Sequence, residues 1–149
     1  MKRILFAMLL AVTSLGTFAQ NDQNPDLIMP SFPGGIEGLG KFLIQTIKYP
    51  PLAEQNKVGG RILTEFVVYE DGSLHDIKVL ERSIEYYTPA TFSKQSEEKQ
   101  QQIKLEIAQL LEDEAVRVVK AMPRWIPGEL NGEYVGVRYA QPIHFSMPY

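Results

Sequence analysis

The chain has 149 residues, with 15 Lys or Arg against 18 Asp or Glu and a formal net charge of −3. Hydrophobic residues make up 44% of it, enough for the core of one globular domain. The chain has no cysteine, which excludes disulfides, thiolate metal sites, cysteine nucleophiles and lipid-modified cysteines. A mildly acidic chain also has no electrostatic reason to bind nucleic acid or an anionic membrane surface.

The first nineteen residues have the composition of a secretory signal peptide. Lys2 and Arg3 precede an apolar run over residues 4–15, and residues 17–19 supply the small residues that a signal peptidase recognises. The run is shorter than the roughly 20 apolar residues that span a bilayer, which disfavours the alternative of an uncleaved inner-membrane anchor. We therefore expect export to the periplasm and a mature domain that begins at Gln20.

An extended lead-in precedes the first helix. Residues 20–35 are polar and contain three prolines and a Gly-Gly pair, so the domain proper is expected over residues 36–149. Apolar residues at helical spacing predict an amphipathic helix over residues 36–47. Tyr49 and Pro50 follow it, and proline ends a helix because it disfavours helical geometry in the residue before it.

Two strands and a turn come next. After Gly59-Gly60, side chains alternate in polarity over residues 62–69, which predicts a strand. Asp71-Gly72 then separates this strand from a second β-rich run over residues 74–82. An Asp-Gly pair between two such runs is typical of a β-hairpin.

A long helical pattern follows and ends at Pro123. Its apolar residues recur at steps of three and four: Ile103, Ile107, Leu110, Leu111, Ala115, Val118, Val119 and Met122. Ser93 and Ser96 are both suitable N-caps, and the acidic residues after Ser96 complement the helix dipole. A break near residues 112–113 would divide the pattern into two helices, and the sequence leaves both alternatives open.

The last predicted strand runs from Glu133 to about Met147, after a turn at Asn131-Gly132. Pro142 lies inside it, and a strand that contains proline belongs at a sheet edge or contains a bulge. The order helix, hairpin, helix, strand predicts an α+β fold. We expect a three-stranded antiparallel sheet in the order second-first-third, with two helices packed on one face.

The side chains that usually perform chemistry do not form a recognisable constellation. His75 and His144 have no second ligand at metal-binding spacing, and the serines lack the surroundings of a nucleophile. The carboxylates of residues 112–114 point in different directions around a helix, and the Gly-Gly pairs match no phosphate-binding motif. We therefore predict no catalytic residue, no metal and no cofactor, which favours a binding protein over an enzyme.

An ordered series of short motifs covers residues 30–147. The motifs are Phe32-Pro33-Gly34-Gly35, Tyr49-Pro50 with Ala53, Gly60-Arg61-Ile62, Phe66-Val67-Val68, Asp71-Gly72, Ala115-Val116-Arg117-Val118-Val119, Met122-Pro123-Arg124-Trp125, Pro127-Gly128, Asn131-Gly132 and Pro142-Ile143-Phe145. Each motif alone has little specificity. In this order they resemble the C-terminal domain of the TonB energy-transducer family, in the branch that has a proline-glycine-glycine lead-in.

The resemblance implies a periplasmic module that captures the TonB box, a short peptide segment of an outer-membrane TonB-dependent transporter. In that family the peptide adds as a strand to the sheet edge, where it satisfies unpaired backbone groups. With the last strand as the edge, the expected peptide-binding residues are Tyr134, Gly136, Arg138, Ala140, Tyr49 and Pro50. The alternative role of Tyr49 and Pro50 is to end the first helix, and the sequence favours neither role over the other. Trp125 is expected to be a core anchor.

Two departures from the family open other interpretations. A full-length transducer has a membrane-spanning N-terminal helix and a proline-rich spacer, whereas only about five residues separate Gln20 from Pro25 here. The polar and helical segment over residues 84–110 resembles an insertion. Because the expected mature chain has too short a lead-in to act as such a spacer, any contact with the inner-membrane complex that uses the proton-motive force is expected to be indirect. The alternatives are a stand-alone periplasmic scaffold protein that binds another partner, and a homodimer that pairs through the sheet edge.

Overall fold

The computed structural model describes residues 4–5, 26–86 and 90–146 of the chain. Within these ranges the chain forms six strands and four helices. In chain order they are β1 (Ile4–Leu5), β2 (Leu27–Ile28), α1 (Gly35–Thr46), α2 (Pro51–Gln55), β3 (Val58–Val68), β4 (Leu74–Tyr86), α3 (Ala90–Ser93), α4 (Glu97–Lys120), β5 (Gly128–Leu130) and β6 (Glu133–Phe145). No helix in this part of the chain is both long and apolar enough to cross a membrane.

The two long helices lie where the apolar spacing predicts them. α1 ends at Thr46, before Tyr49 and Pro50. α4 is continuous over 24 residues, which decides between one helix and two. Its N-cap is Ser96, whose hydroxyl oxygen accepts a hydrogen bond from the Lys99 N–H at 3.4 Å. The segment over residues 84–110 contains the end of β4, the short helix α3 and the first half of α4.

The central part of the sheet has the predicted order. β3 lies between β4 and β6 and is antiparallel to both, which confirms the order second-first-third. The expectation of three strands and two helices is wrong in its counts. β5 pairs with the start of β6, β2 pairs with β5, and β1 pairs with β6 in parallel. These three strands have only two or three residues each, too few to show a period of two in the sequence.

The turn at Asn131-Gly132 produces the additional hairpin. Both residues have positive φ angles, 51° and 80°, which is the geometry of a two-residue turn with a left-handed backbone. Leu130 is consequently opposite Glu133, and residues 128–130 fold back on residues 133–135. The sequence predicted the turn but not the short strand that precedes it.

The main core lies between α4 and the face of the sheet that carries Phe66. Its fully buried members come from α2, β3, α4 and β6. Trp125 is 3% exposed and packs edge-on against Phe32, Phe66 and Tyr139, with ring centroids 5.0–5.8 Å apart. Trp125 is therefore the core anchor that the sequence predicted, and it joins the lead-in, β3 and β6.

Candidate functional site at the edge of the last strand

The two sides of β6 differ in how far they are paired. On its inner side, nine consecutive residues from Val137 to Phe145 pair with β3 without a register shift. On its outer side, residues 133–135 pair with β5 and residues 136–137 pair with β1. Within residues 4–5, 26–86 and 90–146, no strand pairs with the outer side from Arg138 onward. Of the edge expected from Tyr134 to Phe145, these pairings cover the first four residues.

Pro142 determines which backbone groups point outward. It has no N–H, yet it lies opposite Leu63 within the unbroken register with β3, so its nitrogen must face away from β3. The Pro142 carbonyl accepts a hydrogen bond from the Gln141 side-chain amide at 2.9 Å, as suits an oxygen that does not face β3. Because strand residues alternate in direction, Arg138 and Ala140 also point their N–H and C=O groups outward.

The free length of this edge is short. Beyond the end of β1, the backbone N–H and C=O of Ala140 point outward, where no strand among the described residues pairs with them. At Pro142 the donor is missing and the carbonyl already accepts a hydrogen bond from Gln141. We call the part of the outer side from Arg138 to Ala140, with its closed end at Pro142, the acceptor edge.

The opposite edge of the sheet is less regular. β4 also has an outer side without a partner strand among the described residues. Its register with β3 shifts twice, between Leu63 and Thr64 and between Glu65 and Val67, and Asp76 in β4 has a φ of 53°. Such bulges bend and twist an edge strand and so hinder the addition of another strand. The acceptor edge of β6 is therefore the better candidate for peptide addition.

A cluster of charged side chains lies on the sheet face beside the acceptor edge. The Arg138 guanidinium donates to the Glu65 carboxylate, with 2.7 Å between Nη1 and Oε1, and Lys78 Nζ lies 3.1 Å from the same oxygen. The Glu65 side chain is only 9% exposed. Burial works to raise the pKa of this carboxyl, but hydrogen bonds and charges from Arg138 and Lys78 outweigh it and hold the pKa below its ordinary value.

Replacing Glu65 with glutamine is expected to destabilise the protein by about 1–3 kcal/mol at pH 7, because hydrogen bonds to a charged group are lost. A carboxyl whose pKa is lowered by folding adds stability above its unfolded pKa, and that stability is lost as the pH falls through the folded pKa. The difference in unfolding free energy between wild type and Glu65→Gln should therefore shrink below about pH 4.3. Urea unfolding between pH 7 and pH 3 measures it.

The matched control is Glu81→Gln, which removes the exposed ion pair between Glu81 and Arg61. Exposed pairs contribute little, so this variant should change the unfolding free energy by less than about 1 kcal/mol. If the difference between wild type and Glu65→Gln were the same at pH 3 as at pH 7, the folded-state ion pair would not be the source of the stability.

Of the six expected peptide-binding residues, the structure brings four together. Tyr134, Gly136, Arg138 and Ala140 alternate along β6, and Tyr134 is 60% exposed. Tyr134 lies opposite Glu129 of β5 and Gly136 lies opposite Ile4 of β1. The backbones of Arg138 and Ala140 alone form the acceptor edge.

Tyr49 and Pro50 lie at the other end of the strand. The Tyr49 hydroxyl donates to the Val58 carbonyl at 2.7 Å, and its ring packs edge-on against Phe145. Phe145 is 11 residues after Tyr134, or roughly 35 Å along a strand at about 3.3 Å per residue. The structure therefore does not bring Tyr49 and Pro50 together with Tyr134, and their part in peptide binding stays a prediction.

Three residues of the site were not predicted from the sequence. They are Glu65 and Lys78, which contact each other beside Arg138, and Gln141, which closes the edge. Glu65 carried a usable signal, because it is the only charged residue in the run from Ile62 to Tyr69. A carboxylate at such a position needs a cationic partner when it is buried.

The two histidines remain apart from this site. His75 is exposed, stacks on Tyr69 with centroids 3.9 Å apart, and lies 2.8 Å from the Ser73 hydroxyl. His144 is exposed near the end of β6. In the part of the chain that the structure describes, no three His, Asp or Glu side chains are grouped so that they could hold a metal ion.

Comparisons with known proteins find similarity among the solved structures, at TM-scores below 0.5 for the two described below. No protein-family model matches the chain, and no curated protein matches it. A solution structure of the Helicobacter pylori TonB C-terminal domain is similar, with 19% identity, coverage of 74% of this chain and 91% of that chain, and a TM-score of 0.45. A longer fragment of the same domain has 18% identity, coverage of 74% and 78%, and a TM-score of 0.38.

Proposed function

We propose that this protein is a non-catalytic, periplasmic peptide-binding module of the TonB C-terminal type. Its ligand is an extended segment of an outer-membrane TonB-dependent transporter, which adds as a strand to β6. The observation that carries the proposal is the acceptor edge, where Ala140 directs its backbone N–H and C=O away from β3, on a side that no strand among the described residues covers. The ordered motif series of the sequence supports the choice of ligand.

Strand addition fits the chemistry of this edge. Backbone N–H and C=O groups of an incoming peptide pair with the outward N–H and C=O of Ala140, and such bonds depend little on peptide sequence. Selectivity then comes from side chains on the neighbouring face, where Arg138 is tied to Glu65 and Tyr134 is largely exposed. Since Arg138 is fixed by its ion pair, a peptide meets an ordered surface and the entropic cost of binding is reduced.

A second candidate function is that of a scaffold protein, and it rests on a different surface. Ile36 is 85% exposed and Ile44 is 83% exposed on α1. They lie two turns apart on one helical face with Gly40 between them. Exposed apolar residues that are grouped in this way often mark a protein interface. This face would bind a partner without using the acceptor edge.

The edge hypothesis predicts that Ala140→Pro weakens binding of a transporter-derived peptide by roughly tenfold or more, because it removes one outward N–H and adds a clash. Ala140→Ser keeps the N–H and should bind within about threefold of wild type. Ala140 is preferred to Arg138 because Arg138 also holds Glu65. Calorimetry with N-terminal peptides of outer-membrane transporters measures the affinities.

Circular dichroism and thermal unfolding must show that both Ala140 variants remain folded. A folded Ala140→Pro protein with wild-type affinity would exclude the acceptor edge as the binding surface. If wild type binds none of the transporter peptides, the proposed function fails. The exposed face of α1 then becomes the leading candidate for the site of partner binding.

A further inference from the structure

A bulge in β4 places two apolar side chains on the same face of the sheet. The register of β4 against β3 shifts between Glu65 and Val67, where β4 has one residue more than β3. Leu74 and Ile77 are three positions apart and would face opposite sides of a regular strand, yet both pack against the main core. The bulge therefore turns both side chains toward α4.

The end of α4 lies opposite these two side chains, and a cavity remains between them. It has a volume of about 260 Å³ and is lined on its apolar side by Leu74, Ile77, Val119 and Met122. Val119 is fully buried and Met122 is 9% exposed, whereas Leu74 and Ile77 are half-buried. The floor of the cavity is therefore part of the core, and its mouth opens to solvent beside the start of β4.

Two cationic side chains lie at the mouth of this cavity. Lys120 and Arg124 both line it and are exposed, and none of the residues that line the cavity is acidic. Arg124 Nη1 lies 3.4 Å from the Asp71 carboxylate, which offsets one positive charge. Lys120 takes part in none of the ion pairs among the described residues. The cavity thus combines an apolar floor with a cation that has no acidic partner there.

The other polar groups near the mouth are already engaged. Ser73 also lines the cavity, but its hydroxyl donates to the Asp71 carboxylate. At the end of α4, the carbonyls of residues 117–119 accept hydrogen bonds from the backbone N–H groups of residues 121–122. Lys120 is therefore not needed to cap them, although its charge also suits a helix C-terminus. Recognition of a ligand at the mouth falls to the two cations.

We infer that this cavity binds a small carboxylic acid that carries one apolar group. The apolar group enters between β4 and α4, and the carboxylate pairs with Lys120 and Arg124. The volume is below the roughly 300–1,000 Å³ of pockets that hold drug-sized molecules, so it suits a single apolar group. The register shift in β4 hinders addition of an extended peptide beside the cavity, which favours a free acid over the C-terminus of a polypeptide.

This site is separate from the acceptor edge. The cavity adjoins β4, the acceptor edge belongs to β6, and β3 lies between the two strands. The inference therefore does not depend on the proposed function, and the two are tested with different ligands.

A nuclear magnetic resonance titration of the full chain with 3-phenylpropionate tests the inference. The acid should shift the amide signals of residues 74–77 and 119–124 and leave those of residues 138–145 unchanged. 3-Phenylpropanol, which has the ring but no charge, should bind about fivefold more weakly, the effect of one exposed ion pair. Acetate, which has the charge but no ring, should bind about tenfold more weakly or less, because it buries little apolar surface.

Lys120→Gln should weaken binding of 3-phenylpropionate by about threefold to fivefold and leave the affinity for 3-phenylpropanol unchanged. Lys99→Gln is the matched control, because it removes the same charge from an exposed position in the first turn of α4. This variant should bind the acid like wild type. Thermal unfolding checks that both variants are folded, and the ratio of acid to alcohol affinity is insensitive to a purely structural effect of Lys120.

The inference is overturned if the acid shifts no signal at the cavity at millimolar concentration, or if the alcohol binds as tightly as the acid. Equal affinity of wild type and Lys120→Gln for the acid would also contradict it. A short peptide that ends in phenylalanine, with a free or an amidated C-terminus, tests the other source of a carboxylate. Tighter binding of the free-carboxylate peptide than of 3-phenylpropionate would overturn the assignment to a small acid. None of these results bears on the acceptor edge, so a failure here leaves the proposed function intact.

Discussion

Replacing Trp125 with alanine is expected to lower the free energy of unfolding by about 3–5 kcal/mol. The indole is 3% exposed and contacts three aromatic rings, those of Phe32, Phe66 and Tyr139. Truncation removes the buried apolar area of the largest side chain and leaves a cavity between three chain segments that cannot easily collapse together. Urea denaturation followed by circular dichroism measures the change.

The neighbouring residue provides a matched control for this truncation. Ile126 is 54% exposed, and its ordered contacts with Ser31 use the backbone. Ile126→Ala should therefore change the unfolding free energy by about 1 kcal/mol or less. A Trp125→Ala protein with unchanged stability but lost peptide binding would move Trp125 from the core to the binding site.

The second large effect is expected for Gly72→Ala, at about 3 kcal/mol or more of lost stability. Gly72 has a φ of 81°, where an alanine is strained, and an added Cβ would overlap the carbonyl oxygen of Trp125. The two backbones are fixed to each other, because the Trp125 N–H donates to the Gly72 carbonyl at 2.9 Å. Relief of the overlap must therefore separate the β3–β4 turn from the segment that positions Trp125.

Gly132→Ala separates strain from overlap. Gly132 has nearly the same φ, 80°, but an added Cβ there would meet nothing within 4 Å. This variant should lose only about 1–2 kcal/mol, the cost of a left-handed backbone with a side chain. Thermal or urea unfolding compares the two. Equal losses in both variants would show that contact with Trp125 adds nothing to the effect at Gly72.

The central fold was predictable because its elements are long enough to show their period. α1, α4 and the β3–β4 hairpin each follow from apolar spacing or from Asp71-Gly72, and the sheet order follows from their sequence along the chain. The strands β2 and β5 were not predictable, since segments of two or three residues acquire their conformation from partners distant in sequence. β1 lies within residues whose composition indicates a signal peptide, and composition gives no hint of strand pairing.

Part of the candidate site was also accessible to sequence reasoning. Pro142 indicated either a sheet edge or a bulge, and Arg138 and Ala140 share its direction by alternation. The ion pair between Glu65 and Arg138 depends on the register of β3 against β6, between residues 73 positions apart. Likewise, the hydrogen bond that ties Tyr49 to Val58 depends on how α1 leads into β3, which helix-ending prolines do not specify.

The unlike edges of the sheet bear on self-assembly. If both β4 and β6 were regular, the β6 edge of one molecule would pair with the β4 edge of the next, and this head-to-tail contact would repeat without closing. Assemblies of that kind grow into fibres. The two register shifts in β4 remove one of the required surfaces. Pairing of β6 with β4 of a second molecule is therefore disfavoured, and a concentrated solution of this protein is expected not to polymerise through these two edges.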